Sequence, residues 1–344
     1  MLDGPSAMMS GHPRQKEGTM RAFVPAAVAL AVLLAGCGGS PHATPAHGAR
    51  SKAPHTSAKT RKAPARTTAA VAAPVHYSRQ VIILMYHGIA PVAHGDFITP
   101  KAFAGEIQAL EAQGFHFVSL GQVASFLAGG SLPTNAVAIT FDDGLESVYT
   151  YAYPVLSANK VPFATFLIVN RIGRFPGDLS WAQVKAMEQS GLITVGSHTL
   201  ASHGTVPTGN GKTGPALTSL IDNPATGEKE TQTQYTARVT ADLLHARQIL
   251  RAETGQPVVW FAYPFGSYDQ QVEHILSQEG YRYAVLAEWG WGVTRSALPL
   301  EIPRINTGTP KTTPGNIPST LEYVASLTAR DPTAVPPASY VPSW

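Results

Sequence analysis

Cysteine is nearly absent from this 344-residue sequence: Cys37 stands alone, so no disulfide can form within the chain. Acidic residues are missing altogether from Gly18 to Gly95. Charge of either sign is scarce, at 14 % of residues against 44 % hydrophobic, which leaves ample material for a core. Hydrophobic runs long enough to cross a membrane are lacking too. The run AAVALAVLLAG from Ala26 falls short of the roughly 20 residues a spanning helix needs. What basic charge there is lies in the wrong place for nucleic acid. Residues 38–77 hold six Lys/Arg and no acids, whereas residues 78–344 hold 16 Lys/Arg against 20 Asp/Glu, a net of −4. A nucleic-acid binder would carry its positive charge on the folded part, so that class is set aside.

What is present begins with a leader. Arg14, Lys16 and Arg21 precede the apolar run, the layout of a signal peptide, and Met20 would serve equally as its start. Leu34-Ala35-Gly36-Cys37 resembles the lipobox of bacterial lipoproteins, which implies that residues 1–36 are removed and that Cys37 is lipidated and anchors the chain to a membrane. Residues 37–77 are rich in Pro, Ala, Thr and Lys and cannot bury enough apolar surface to fold. They read as a basic tether, roughly 120 Å when extended and about 35 Å as a coil. Residues 78–330 read as one globular domain, and 331–344 as a Pro-rich tail.

Within the domain, β-branched apolar runs alternate with helical stretches. The runs fall at 80–89, 115–120, 136–141, 161–169, 192–198, 257–265, 281–287 and 300–305, and several intervening helices end at a Gly. Repeated βα units predict a parallel sheet, and seven or eight of them predict a closed or nearly closed barrel. Residues 204–235 break the rhythm with a long Gly/Pro/Thr segment, expected to form a lid or rim.

Chemistry gathers where the runs end. The first run ends at Tyr86-His87-Gly88, the third at Asp142-Asp143-Gly144, the fifth at Ser197-His198 with His203 following, and the sixth at Tyr263-Pro264-Phe265-Gly266. A parallel α/β barrel places all these ends on one face, where sites are built. Adjacent carboxylates repel unless a cation or a shared proton compensates; a solvated turn at Asp143-Gly144 is the plainer alternative. His198 and His203 would sit roughly 140° apart on a helix and on opposite faces of a strand, so they can share an ion only from a curled loop. Two imidazoles and one carboxylate suit a catalytic metal with open positions, and two ordinary loop histidines are the alternative.

At these residues the sequence resembles the polysaccharide deacetylases with a NodB-like domain, carbohydrate esterase family 4: TFDDG, SHTLASH and AYPFG occur in order within about residues 80–308. The likeness is tighter to the branch acting on poly-β-1,6-N-acetylglucosamine, which shares the wide His spacing and the YH of MYHGI. The resemblance implies a distorted NodB-like (β/α) barrel and a divalent ion, one of Zn, Co, Ni or Fe(II), held by Asp143, His198 and His203. It implies Asp142 as general base, His87 as general acid, and the backbone N–H of Phe265 at the oxyanion. Tyr263 and Pro264 would contact substrate, while Trp289 and Trp291 would stack on sugar rings or form a plain apolar rim.

Two departures stand out. Many members open the third motif with an arginine that orients the base; here that position is Ala262. The C-terminal leucine-and-histidine motif of other branches is missing, and LEIPRINTG carries Arg304 instead. The expectation is therefore a monomeric, lipid-anchored, extracytoplasmic N-deacetylase of an acetylated amino-sugar polymer. A peptidoglycan or chitin deacetylase, an O-acetyl esterase, and a wall-binding lipoprotein without turnover remain the alternatives.

Overall fold

The computed structural model describes residues 73–287 and 290–330. The leader, Cys37, nearly all of the tether, Trp289 and the C-terminal tail lie outside the described residues. Each of the eight apolar runs holds or overlaps a strand: β1 (Val81–Tyr86), β2 (His116–Phe117), β3 (Ala136–Phe141), β4 (Phe163–Leu167), β5 (Ile193–Ser197), β6 (Trp260–Ala262), β7 (Tyr283–Val285) and β8 (Ile305–Asn306). Seven of them form a parallel sheet in the order β7-β6-β5-β4-β3-β1-β8, and the short β2 pairs with the start of β3. A parallel bridge between Val285 and Ile302, just before β8, brings the two edges together as a distorted barrel. The barrel predicted from βα alternation is the fold observed.

Alternation along the strands decides what faces the lumen. On β1 and β3, Val81, Ile83, Ala136 and Ala138 join Ala164, Phe166, Ala262, Val285 and Ile302 in an inner cluster. The intervening Ile82, Leu84, Val137, Ile139 and Phe141 meet the helices in an outer one. Both faces are covered, which is why β1 and β3 read as unbroken apolar runs. The same period carries the inner face onward from Ala138 through Thr140 to Asp142, and from Ile302 to Arg304.

The helices are α1 (Pro100–Ala112), α2 (Leu120–Leu127), α3 (Tyr153–Ala158), α4 (Trp181–Glu188), α5 (Gln232–Thr254), α6 (Gln270–Gln278) and α7 (Ile317–Arg330). Ser119, Ser180 and Thr231 open α2, α4 and α5 with full capping boxes, each satisfying otherwise orphaned N–H groups. Among the described residues no helix is long and apolar enough to cross a membrane.

The segment expected to form a lid or rim has structure of its own. Thr205–Gly209 and Lys212–Pro215 pair as an antiparallel hairpin, and Leu217 behind them is fully buried. Arg238 on α5 donates to the carbonyls of Ala216 and Ser219 and to both oxygens of Glu230. Tyr235 adds a bond to Leu217 O, so the segment is pinned against α5 at its base.

Candidate active site

The C-terminal ends of β1, β3, β5 and β6 open into one cavity of about 340 Å³. His87, Asp142, Asp143, His198, His203 and Phe265 all line it. Six positions spread over 178 residues of sequence therefore share one wall, as strand-end placement requires.

The loops that present them are tightly wound. Asp143, Thr199 and Phe265 have φ of 72°, 75° and 58°, a left-handed conformation that costs of order 1–3 kcal/mol where a side chain is present. Gly144 follows at φ 79°, and a Cβ there would lie 2.9 Å from Ile172 and 3.0 Å from Leu167. Only glycine fits that step of the TFDDG turn.

His198 and His203 sit on a loop after β5, with ring centroids 4.6 Å apart. The curl that a shared ion demands is present. Asp143 Oδ1 faces both rings, 3.3 Å from His203 Nε2 and 3.6 Å from His198 Nε2, yet it is buried and makes no hydrogen bond. Three atoms able to act as ligands lie within 4.8 Å of one another. An orphaned carboxylate oxygen facing two imidazole nitrogens is the arrangement a divalent cation satisfies, so these residues fit one. His198 Nδ1 donates to Ala262 O at 2.8 Å, which fixes the tautomer and leaves Nε2 for the cluster. Burial pushes His198 down to about 4, and it is neutral at ordinary pH as a ligand must be. Burial alone would raise Asp143, but His203, His198 and His87 outweigh it and hold the carboxyl below its usual value.

Asp142 is 2 % exposed, and Arg304 is fully buried beside it. Nη1 meets Oδ1 at 2.8 Å and Nη2 meets Oδ2 at 2.7 Å, a two-point bridge. Arg304 is itself held by Leu286 O at 2.7 Å and Thr140 Oγ1 at 3.0 Å, and it lies over the Phe166 ring. Burial would raise Asp142; the Arg304 charge and hydrogen bonds more than offset this, and the carboxyl stays below its ordinary value. Ala262 offers no arginine here, and the guanidinium at Asp142 comes instead from Arg304, immediately before β8. Sequence reasoning noted Arg304 only as something other than histidine; its even spacing from Ile302 was the available signal.

Asp242 on α5 was missed altogether. Its oxygens accept from Leu200 N at 2.8 Å, Ala201 N at 2.9 Å and Ser202 Oγ at 3.0 Å, spanning the loop between the two histidines. His87 lines the opposite wall with Nδ1 buried and without a partner. Phe265 turns its 42 %-exposed ring to within 4.9 Å of His203.

The other expected contacts are placed differently. Tyr263 borders the cavity but is 1 % exposed, with its hydroxyl on Leu300 O, and it serves as a wall. Pro264 is buried, and neither it nor Trp291 lines the cavity. Trp289 falls outside the described residues.

Residues 129–284 match the family model of the polysaccharide deacetylases. Over that segment, somewhat less than half of the chain, the sequence is similar to the polysaccharide deacetylases. The chain has a relative in a poly-β-1,6-N-acetyl-D-glucosamine N-deacetylase of Escherichia coli K12, 28% identical over 189 residues. That alignment takes in 50% of this chain and 28% of the relative, so the chain spans less than a third of that protein's length. In solved structures it is similar to IcaB from Ammonifex degensii, at 26% identity and TM-score 0.57, covering 72% of this chain and 98% of that one. A de-N-acetylase from Aggregatibacter actinomycetemcomitans shares the fold at TM-score 0.63 and 21% identity, covering 71% of this chain and 99% of that one. The family match leaves out both His87 and Arg304, which the fold brings back to the site.

Proposed function

We propose that this chain is a metal-dependent N-deacetylase that removes acetyl groups from an extracellular polymer of N-acetylglucosamine, with the β-1,6-linked polymer as preferred substrate. One observation carries the reading. An ionised, arginine-clamped Asp142 stands next to a cation-ready Asp143–His198–His203 cluster, with His87 across the same cavity.

Asp143, His198 and His203 would hold the ion. When bound, a divalent cation polarises the acetyl carbonyl and acidifies the attacking water. Asp142, kept ionised and aimed by Arg304, accepts the proton as the water oxygen bonds to the carbonyl carbon. The N–H of Phe265 donates to the oxyanion formed there. His87 delivers a proton to the amide nitrogen as the C–N bond breaks, giving acetate and a free amine. The exposed Phe265 ring is the aromatic face available to a sugar at the rim.

The remaining assignments rest on the sequence: a lipid anchor at Cys37, a tether, an extracytoplasmic location, and action as a monomer. Ala262 is the sole hint of a site without turnover, and the Arg304–Asp142 bridge supports the reading with turnover. Acetate release from poly-β-1,6-N-acetylglucosamine, with chelator and with added metal, tests the reading. Metal-dependent acetate is expected; none from this polymer, peptidoglycan or chitin oligomers would overturn it.

A further inference from the structure

A second cleft, larger than this cavity, lies away from it at the other end of the barrel. It encloses about 1160 Å³ between the C-terminal ends of α5 and α6 and the residues that lead into β6 and β7. Three arginines line it, Arg247, Arg251 and Arg282, and no carboxylate does. This is an unusual concentration in a region of net charge −4.

Arg247 is mounted for use. Its Nε donates to Val258 O at 2.8 Å, and its guanidinium lies over the Tyr281 ring at 5.9 Å. Gly280, at φ 84°, makes room for it: a Cβ there would sit 2.9–3.0 Å from the guanidinium atoms. With Nε occupied, Nη1 and Nη2 make no hydrogen bond to any described residue. Arg251 stands one helical turn further along the same face, and Arg282 faces them from the start of β7. Both are exposed and form no ion pair with a described residue. Of the acids next to the lining residues in sequence, Glu253 is engaged by Lys185, and Glu279 does not line the cleft.

A pinned guanidinium with two free donors matches the geometry of a tetrahedral oxyanion. Two further arginines along a concave track fit a chain of such anions better than a single one. A bilayer surface is too flat to reach a half-buried guanidinium inside a cleft. We propose that this cleft binds a phosphodiester-linked anionic polymer, independently of the catalytic cavity and so at a second point on the domain.

The test is thermal unfolding of the full chain with poly(glycerol phosphate), set against Arg251→Glu/Arg282→Glu, a pair of exposed substitutions that leave the Arg247 packing intact. The basic residues 38–77 also attract polyanions, but the double variant leaves them unchanged, so a difference between wild type and variant reports the cleft. The expected result is a rise of about 5 °C at saturation. Affinity should weaken roughly tenfold in the double variant and fall with added salt. Inorganic phosphate at equal phosphorus should shift the midpoint far less. No rise, or an equal rise in wild type and variant, overturns the proposal. So does arginine-dependent sedimentation with phosphatidylglycerol vesicles in the absence of any response to the polymer, which would assign the cleft to a membrane.

Discussion

Arg304 holds both oxygens of Asp142 at 2.7–2.8 Å across 162 residues of sequence, with neither side chain meaningfully exposed. A buried pair of this kind is costly to break, because removing one partner strands the other charge; typical penalties are about 3–5 kcal/mol. Arg304→Met is therefore expected to lower the melting temperature by about 10 °C and to cut acetate release at least about a hundredfold. Arg304→Lys keeps the charge but not the fork, and should recover stability more than rate. Equal loss of both in the lysine variant would show that the fork does not orient the base.

Asp142→Asn and His87→Ala should each abolish most turnover while leaving metal content unchanged, since neither belongs to the Asp143–His198–His203 cluster. Losses of about 10²–10⁴-fold fit groups that move protons. Metal stoichiometry measured on the same preparations separates this from a collapsed site. His203→Ala should instead lose the metal and the activity together.

Asp242 never reaches the cavity, yet it ties down three consecutive residues between the histidines. Asp242→Ala should weaken metal affinity by about 10–100-fold, with activity restored at high metal concentration. A chelator competition titration gives the number, and unchanged affinity would show that the loop keeps its shape unaided.

Glu106 on α1 is fully buried, accepts from Tyr86 Oη at 2.8 Å, and has its other oxygen unpartnered. Burial raises its carboxyl to about 8, the Tyr86 bond opposing only weakly. The folded state thus retains a proton that the unfolded chain releases near pH 4.5. Stability from this group is fully present below pH 4.5, declines as pH rises toward 8, and is flat beyond it. Glu106→Gln should match wild type in melting temperature at pH 5 and exceed it by at least about 3 °C at pH 8. A constant difference across that range would assign the effect to packing.

Sequence legibility followed the physics of each signal. Each of the eight apolar runs holds or overlaps a strand because period and composition are local properties, and the acids and histidines ending them came to the same face. The loop joining His198 to His203 followed from geometry alone, since neither helix nor strand could bring the rings together. Arg304 and Asp242 were hidden because their meaning is tertiary: one crosses the lumen, the other reaches in from α5. The burial of Pro264 and the anchoring of the 204–235 segment were hidden for a related reason. Turn-rich composition does not reveal that Pro264 is buried, or that Arg238 and Tyr235 fasten the segment to a helix.

Among the described residues the last strand, β8, is only two residues long, and on the proposed reading this decides when the site is complete. Asp142 is delivered by β3 early in synthesis, but its clamp arrives with Arg304, and β8 must settle against Leu84 and Met85 to seat it. Until the final ladder zips, the motif is spelled out in full but its acid is unaligned. On the proposed reading, a chain clipped between β7 and Arg304 keeps the TFDDG, SHTLASH and AYPFG motifs but lacks the clamp on Asp142. The proposed base thus depends for its alignment on a residue that the chain supplies 162 positions later.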